Sequence, residues 1–333
     1  MSRILVTGGA GYIGATAVEM LLEQGHQISV LDDCSTGHAE SLPPSVFFVE
    51  GSLLDRASIA HALAGCSAVI HFAGKSLVGE SVVKPELYWS VNVIGSRNLL
   101  DEMRISRTTQ LVFSSSAATY GEPQSVPIPE TAPTKPTNAY GATKLAIDAM
   151  ITDECRAHGL SAVSLRYFNV AGALKSPRGW LTERHDPETH LIPNVLKSTS
   201  ENPVKIFGTD WPTADGTCVR DYVHVVDLIE AHIAALSAID TGKISSGTHE
   251  IINLGSGDGY SVKEVLQAAG RALGREVPHL NSARRAGDPA VLIADISKAN
   301  SHLNWQPTRD INQMVGDAAQ AALNPELIEG ISI

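Results

Sequence analysis

Two things are missing from this 333-residue chain: an apolar run of membrane-spanning length, and a run of lysine or arginine. Without the first, no membrane-crossing helix is expected. Without the second, and with a formal net charge of −11, wholesale binding to nucleic acid or to an anionic membrane surface is disfavoured. Any anionic ligand must therefore meet a local basic pocket. Cysteine is also scarce. Cys34, Cys66, Cys155 and Cys218 are scattered with neither metal-binding nor redox spacing. The first expected strand follows directly on the initiator Met, so reduced thiols and a cytoplasmic location are expected. Internal repeats, low-complexity tracts and long linkers are absent too. Apolar residues make up 43% of the chain, enough for a sizeable core, and the length is comfortable for two domains.

The opening residues carry the strongest pattern. Ser2–Thr7 reads as a buried strand, Gly8-Gly9-Ala10-Gly11-Tyr12-Ile13-Gly14 follows without a spacer, and an amphipathic run continues to Gln24. A tight turn needs residues that tolerate positive φ, and a pyrophosphate must approach bare N–H groups at a helix N-terminus. A second strand, Gln27–Leu31, ends in Asp32, eighteen residues past Gly14. A carboxylate there accepts hydrogen bonds from both hydroxyls of an adenosine ribose and repels a 2′-phosphate, which favours NAD over NADP.

Further strands are expected at Val46–Val49, Ala68–Phe72, Gln110–Ser114 and Ser161–Tyr167, with helices between them, including one from about Pro85 to Arg104. Near-continuous apolar strands alternating with helices predict an α/β fold, a Rossmann-type doubly wound parallel sheet. Polar loops at Asp33–His38 and Gly51–Asp55 are expected over the adenine. Asn138-Ala139-Tyr140-Gly141-Ala142-Thr143-Lys144 opens a helix to about His158. From Ala173 the composition shifts to charged, Pro-containing loops around a helix near Leu191–Ser200 and a strand at Val204–Phe207. This predicts a dinucleotide-binding domain over residues 1–172 with a return segment near 220–254, and a smaller C-terminal α/β substrate domain over 173–333.

Tyr140 and Lys144 are four apart, which places both on one helix face. A phenol is a poor base at neutral pH unless its phenolate is stabilised, and Lys144 and an oxidised nicotinamide are two cations that do so. A hydroxyl from Ser114-Ser115-Ser116, at the carboxyl end of the fifth strand, is placed to bond the same substrate oxygen. Alone, each of these groups is more ordinarily structural. Behind a dinucleotide fingerprint, together they are set up to oxidise an alcohol. The loop residues His185, Asp186 and His190 lack fixed helical spacing and read as solvated, so no metal is expected.

With these groups in place, the chain resembles the extended short-chain dehydrogenase/reductases, the NAD-dependent epimerase/dehydratase family, and within them the UDP-glucose 4-epimerases. The resemblance covers nearly the whole chain. It is carried by Val6–Gly14, His71-Phe72-Ala73-Gly74 with Val78-Gly79-Glu80-Ser81, Ser114–Ala117 leading to Tyr120-Gly121, Tyr140–Lys144, Leu165–Asn169 and Asp215–Tyr222. It implies NAD as a tightly held cofactor, reduced and reoxidised in each turnover, and a UDP-hexose as substrate. Tyr140 takes the proton from O4′, Ser116 hydrogen-bonds that oxygen, and Lys144 holds the nicotinamide ribose and the phenolate. Cofactor contacts are implied at Gly8, Gly11, Tyr12, Ile13, Gly14, Asp32, Ser35, Thr36, Gly37, Ser52, Leu53, Phe72, Ala73, Gly74, Lys84, Ser114 and Tyr167. Substrate contacts are implied at Asn92, Asn169, His190, Leu191, Phe207, Arg220, Arg285 and Asp288, the two arginines neutralising the diphosphate. Ser52 replaces an Asp common in relatives. Leu292 falls at the back of the hexose pocket and favours plain glucose and galactose over N-acetylated sugars.

Other readings stay in view. A 4,6-dehydratase carries an Asp-Glu pair after the hydroxyl residue of the fifth strand, where this chain has Ala117 and Ala118. An epimerase of N-acetylhexosamine or pentose sugars and a catalytically silent NAD sensor are further alternatives. The resemblance also implies a homodimer, through a four-helix bundle of Pro85–Arg104 and Tyr140–His158.

Overall fold

The computed structural model describes residues 2–285 and 288–324. Seven strands form one parallel sheet: β1 (Arg3–Thr7), β2 (Gln27–Asp32), β3 (Phe47–Glu50), β4 (Ala68–His71), β5 (Gln110–Ser116), β6 (Ser161–Tyr167) and β7 (His249–Leu254). Their spatial order is 3-2-1-4-5-6-7. Chain direction along the sheet reverses between β1 and β4, and the crevice outside their carboxyl ends is where an open α/β sheet receives a ligand.

Both faces of the sheet are covered, as the apolar strands require. One face packs Ile4, Val6, Val112 and Leu165 with Val18 and Leu21 of helix Tyr12–Glu23 and Leu228 and Ala235 of helix Val225–Asp240. The other packs Leu5, Val69, Leu111 and Phe113 with Leu99 and Met103 of helix Gly95–Ser106 and Ile147 and Ile151 of helix Ala139–His158. A third core joins Val195, Ile206, Val265 and Val315, beneath the segment that follows β6.

Three expectations shift. β5 runs on to Ser116, two residues past the expected end. Strand alternation therefore sends Ser115 to one face of the sheet and Ser114 and Ser116 to the other. The expected long helix from Pro85 is interrupted: Trp89–Ile94 is a π-helical turn between Pro85–Tyr88 and Gly95–Ser106. That turn holds Asn92, whose buried amide is fully used in tertiary hydrogen bonds. Of the expected return segment, only β7 joins the large sheet. Tyr222–His224 pairs with Asn169–Ala171, and Val219–Arg220 pairs with Tyr260–Ser261 and Val291–Leu292. The join between these two short strands is fixed by Asp221, whose carboxylate accepts from Ser256 Oγ at 2.7 Å and from the backbone N–H of Ala294 at 2.9 Å. Among the described residues no helix is long and apolar enough to cross a membrane.

Candidate functional site

A cavity of ≈ 690 Å³ opens along the carboxyl ends of the strands, within the size range of small-molecule sites. Its floor is the turn between β1 and helix Tyr12–Glu23. Gly11 caps that helix without a side-chain hydrogen bond, so N–H groups of the first turn stay available to an anion. A Cβ on Gly14 would sit 2.0 Å from the Gly8 carbonyl oxygen, so only glycine lets the helix close on the turn. Asp32 is buried at the end of β2; its two oxygens accept from the N–H groups of Ala10 and Cys34, each at 2.9 Å. Burial pushes this carboxyl above its usual range, against the lowering by those two N–H donors. An ionised carboxylate offers about four acceptor positions, so tying the turn leaves acceptors for a ligand.

The opposite wall comes from β5 and helix Ala139–His158. Asn138 caps that helix by accepting from Gly141 N–H at 2.9 Å. A Cβ on Gly141 would lie 2.4 Å from the Ala118 carbonyl oxygen; its absence lets the helix start abut the strand end. Ser116 and Tyr140 meet there. Burial raises the Tyr140 phenol above its ordinary value, opposed by a hydrogen bond with Ser116. Lys144 is buried, and its Nζ donates to Ser114 O at 2.8 Å and lies 5.9 Å from the centre of the Tyr140 ring. Burial lowers Lys144 to about 8, with Asp148 pulling the other way. The ammonium expected to lower the phenol is thus itself weakened by burial, and it does not overcome the burial of Tyr140.

Every cofactor-side position expected from the sequence lines this cavity except Lys84 and Ser114. Ser114 sits one layer back, its hydroxyl bonded to that of Tyr167. Lys84 is not brought to the cleft. Its side chain is 58% exposed and pairs with Glu80 at 3.2 Å, one helical turn away. The lysine at the rim is Lys75, which lines the cavity and donates to Ser35 Oγ at 3.1 Å. Its signal was its place directly after Phe72-Ala73-Gly74. Of the substrate-side positions, Ser116, Tyr140, Asn169, His190, Arg220, Asp288 and Leu292 line the same cavity. Leu191, Phe207 and Arg285 line an adjoining cavity of ≈ 480 Å³ that shares Asn169, His190, Arg220 and Asp288. The Arg285 guanidinium lies over the Phe207 ring at 3.8 Å, and Arg220 is 3.9 Å from the Asp288 carboxylate.

Asn92 lines neither cavity. It accepts from Lys75 N–H at 2.8 Å and donates to Lys75 O and Thr143 Oγ1, each at 3.1 Å. It pins the Gly74-Lys75 loop to the helix of Tyr140. Sequence reasoning passed over Asp148, one turn beyond Lys144 in the same four-residue spacing. Its buried Oδ2 takes Ser115 Oγ at 3.1 Å and Arg166 at 2.8 and 3.0 Å. Glu183 and His185 also line the cleft beside His190, while Asp186 is exposed.

Known proteins resemble this chain over nearly its whole length. A UDP-glucose 4-epimerase of Corynebacterium glutamicum is 50% identical, over 95% of this chain and 94% of that protein. The crystal structure of UDP-glucose 4-epimerase from Brucella ovis in complex with NAD superposes with a TM-score of 0.91 at 42% identity, over 96% of this chain and 98% of that one. That of the Bifidobacterium longum enzyme in complex with NAD⁺ and UDP gives a TM-score of 0.86 at 35% identity, over 98% and 99%. Residues 4–255, from the first strand of the sheet to just past the last, match one family description, and with the glycine turn, Asp32 and the Ser116–Tyr140–Lys144 wall on one cleft the chain belongs to the NAD dependent epimerase/dehydratase family.

Proposed function

We propose that this protein interconverts UDP-galactose and UDP-glucose by transient oxidation at C4 of the hexose. The observation that carries this reading is that Ser116, Tyr140 and Lys144 share one cavity with an uncapped helix N-terminus and the Asp32 carboxylate. The fit to NAD rests on that cradle, which a Cβ at Gly14 would close, and on acceptors that suit a free ribose 2′-hydroxyl. Bound there, NAD supplies the hydride acceptor and donor, and a positive charge that favours the Tyr140 phenolate.

The chain's own groups do the rest. Tyr140 removes the proton from the C4 hydroxyl and returns it, while Ser116 hydrogen-bonds the same oxygen. Lys144, held by Ser114 O, keeps its ammonium beside the phenol and holds the nicotinamide ribose. The 4-keto sugar turns about its link to the diphosphate and is reduced from its other face, so there is no net oxidation. Binding energy therefore belongs on the nucleotide, with the hexose held loosely. Arg220 and Arg285 serve the diphosphate. Leu292, on the cavity wall, favours plain hexoses over N-acetylated ones.

In this reading residues 1–172, with the return strand, hold the cofactor, and residues from 173 hold the UDP-sugar. The protein works in the cytoplasm as a homodimer through a four-helix bundle. The exposure of Trp89 (43%) and Ile94 (53%) on the long helical stretch supports that pairing, since large apolar side chains grouped at a surface mark contact sites.

The test is incubation of purified protein with UDP-galactose, resolving the nucleotide sugars by chromatography. UDP-glucose should appear without net NADH, and Tyr140→Phe should bind both ligands yet lose nearly all turnover. A product lacking the C6 hydroxyl, or a Tyr140→Phe enzyme with most of its activity, overturns the proposal.

A further inference from the structure

The segment joining strand Gly179–Leu181 to helix Leu191–Leu196 gathers Glu183, His185, Glu188 and His190. One ligand-type atom from each lies within 4.8 Å of all the others. Glu183 Oε1 is 3.0 Å from His185 Nδ1 and 3.0 Å from His190 Nδ1, and Glu188 Oε1 is 2.9 Å from that same His190 nitrogen. The two rings stand 5.4 Å apart. Glu188 is only 6% exposed, and its Oε2 is buried with no hydrogen-bond partner among the described residues. Arg184, which lies between them in sequence, turns away to Ser41 Oγ at 2.6 Å.

Proton sharing accounts for part of this cluster. An Nδ1 carries one in-plane hydrogen or one lone pair, yet His190 Nδ1 faces two carboxylate oxygens. Glu188 Oε1 also accepts from the N–H groups of Thr189 and His190, each at 2.8 Å, which leaves Oε2 as its free acceptor. A small dication satisfies all four atoms together and neutralises the two carboxylates. Four ligands about 2.0–2.1 Å from one ion stand about 3.3–3.4 Å apart at the corners of a tetrahedron. The three contacts at 2.9–3.0 Å need to open by a few tenths of an ångström, and the other pairs, which lie within 4.8 Å, need to close by at most about 1.5 Å to reach that tetrahedron. Two imidazoles with two carboxylates suit zinc or cobalt and are a poor set for magnesium or calcium.

We propose that Glu183, His185, Glu188 and His190 bind one divalent transition-metal ion, of the zinc class, as a closed four-ligand site in the cleft wall. The ion has no open position and takes no part in the reaction. It fixes the segment that delivers His190 and Leu191 to the junction of the two cavities, and leaves the second ring nitrogen of His190 uncommitted. This site stands whatever sugar the cleft accepts.

Untagged protein, stripped with a chelator and titrated with zinc, should bind one equivalent per chain. Cobalt(II) should give the intense visible absorption of a four-coordinate site. Changing even the outer partners of metal ligands costs about 10–100-fold in affinity, so Glu188→Gln and His185→Gln should each weaken binding at least tenfold while NAD content and circular dichroism match the wild type. The absence of a saturable equivalent, a six-coordinate cobalt spectrum, or variants that bind like the wild type would overturn the proposal in favour of proton sharing alone. The wild-type cobalt spectrum decides by itself if a variant does not fold.

Discussion

His232 offers a direct measurement of what a buried imidazole costs this fold in acid. It sits fully buried on helix Val225–Asp240, 4.9 Å from the Phe72 ring, and Nδ1 donates to Leu228 O at 2.8 Å. That bond fixes the proton on Nδ1 and leaves Nε2 buried without a partner. Protonating Nε2 would put a charge and an unmatched N–H into apolar surroundings, and burial accordingly lowers this histidine to about 4. An unfolded histidine titrates near 6.5. Below that pH the unfolded chain takes up a proton that the folded one refuses, so stability falls as pH drops from about 6.5 through about 4. The loss reaches about 2 kcal/mol at pH 5 and about 3 kcal/mol at pH 4.

His232→Leu keeps the bulk, removes the unpartnered nitrogen, and gives up one hydrogen bond to a carbonyl that lies within the helix. At pH 7.5 the variant should therefore lie within about 1 kcal/mol of the wild type. Urea unfolding between pH 7.5 and 5 should show the difference moving by about 2 kcal/mol in the variant's favour. His71 and His249, also lowered by burial, to about 3 and about 4, act equally in both proteins and cancel. A difference that stays constant across this range would refute the reasoning.

Three further substitutions test the walls of the cleft. Gly141→Ala forces its Cβ against the Ala118 carbonyl and separates Ser116 from Tyr140; turnover should fall about a hundredfold, as a misplacement of about 1 Å predicts, with NAD content kept, both read on the purified variant. Asn92→Ala strands Lys75 N–H and O and Thr143 Oγ1, and should cost about 2–4 kcal/mol in urea unfolding and loosen NAD retention. Asp148→Asn leaves the buried Arg166 without its counter-charge, at a cost of about 3–5 kcal/mol by the same unfolding assay. It also withdraws the charge that supports the Lys144 ammonium, so the alkaline limb of the pH–rate profile should move to lower pH.

Local signals were legible because each is set by a few neighbouring residues. The glycine turn needs adjacent glycines, Asp32 ends an apolar strand, and Tyr140 and Lys144 obey a four-residue helical spacing. What escaped depends on partners distant in sequence. The π-helical turn at Asn92 is held by Lys75 and Thr143, seventeen and fifty-one residues away, and no periodicity in Pro85–Arg104 announces it. Lys84 was assigned to the cleft by resemblance, but Glu80 holds it at the surface. His185, Asp186 and His190 read as solvated because they lie in a polar loop, and only the fold shows the Glu188 side chain, 6% exposed, set against His190.

β7 lies beside β6 in unbroken parallel register, from His249 opposite Ala162 to Leu254 opposite Tyr167, yet roughly eighty residues separate them in the chain. Of that excursion, helix Val225–Asp240 packs Leu228 and Ala235 onto the sheet and belongs with the strands, while the loops outside that helix are not tied to the register. Closing a loop twice as long costs only about 0.6 kcal/mol more, so loops of the insert outside that helix can be lengthened or trimmed with little tax on the strands. The fold thus keeps one half fixed and the other open to revision: a new sugar pocket can be tried by rewriting loops of the excursion while helix Val225–Asp240 stays on the sheet and β6 and β7 remain paired as they are.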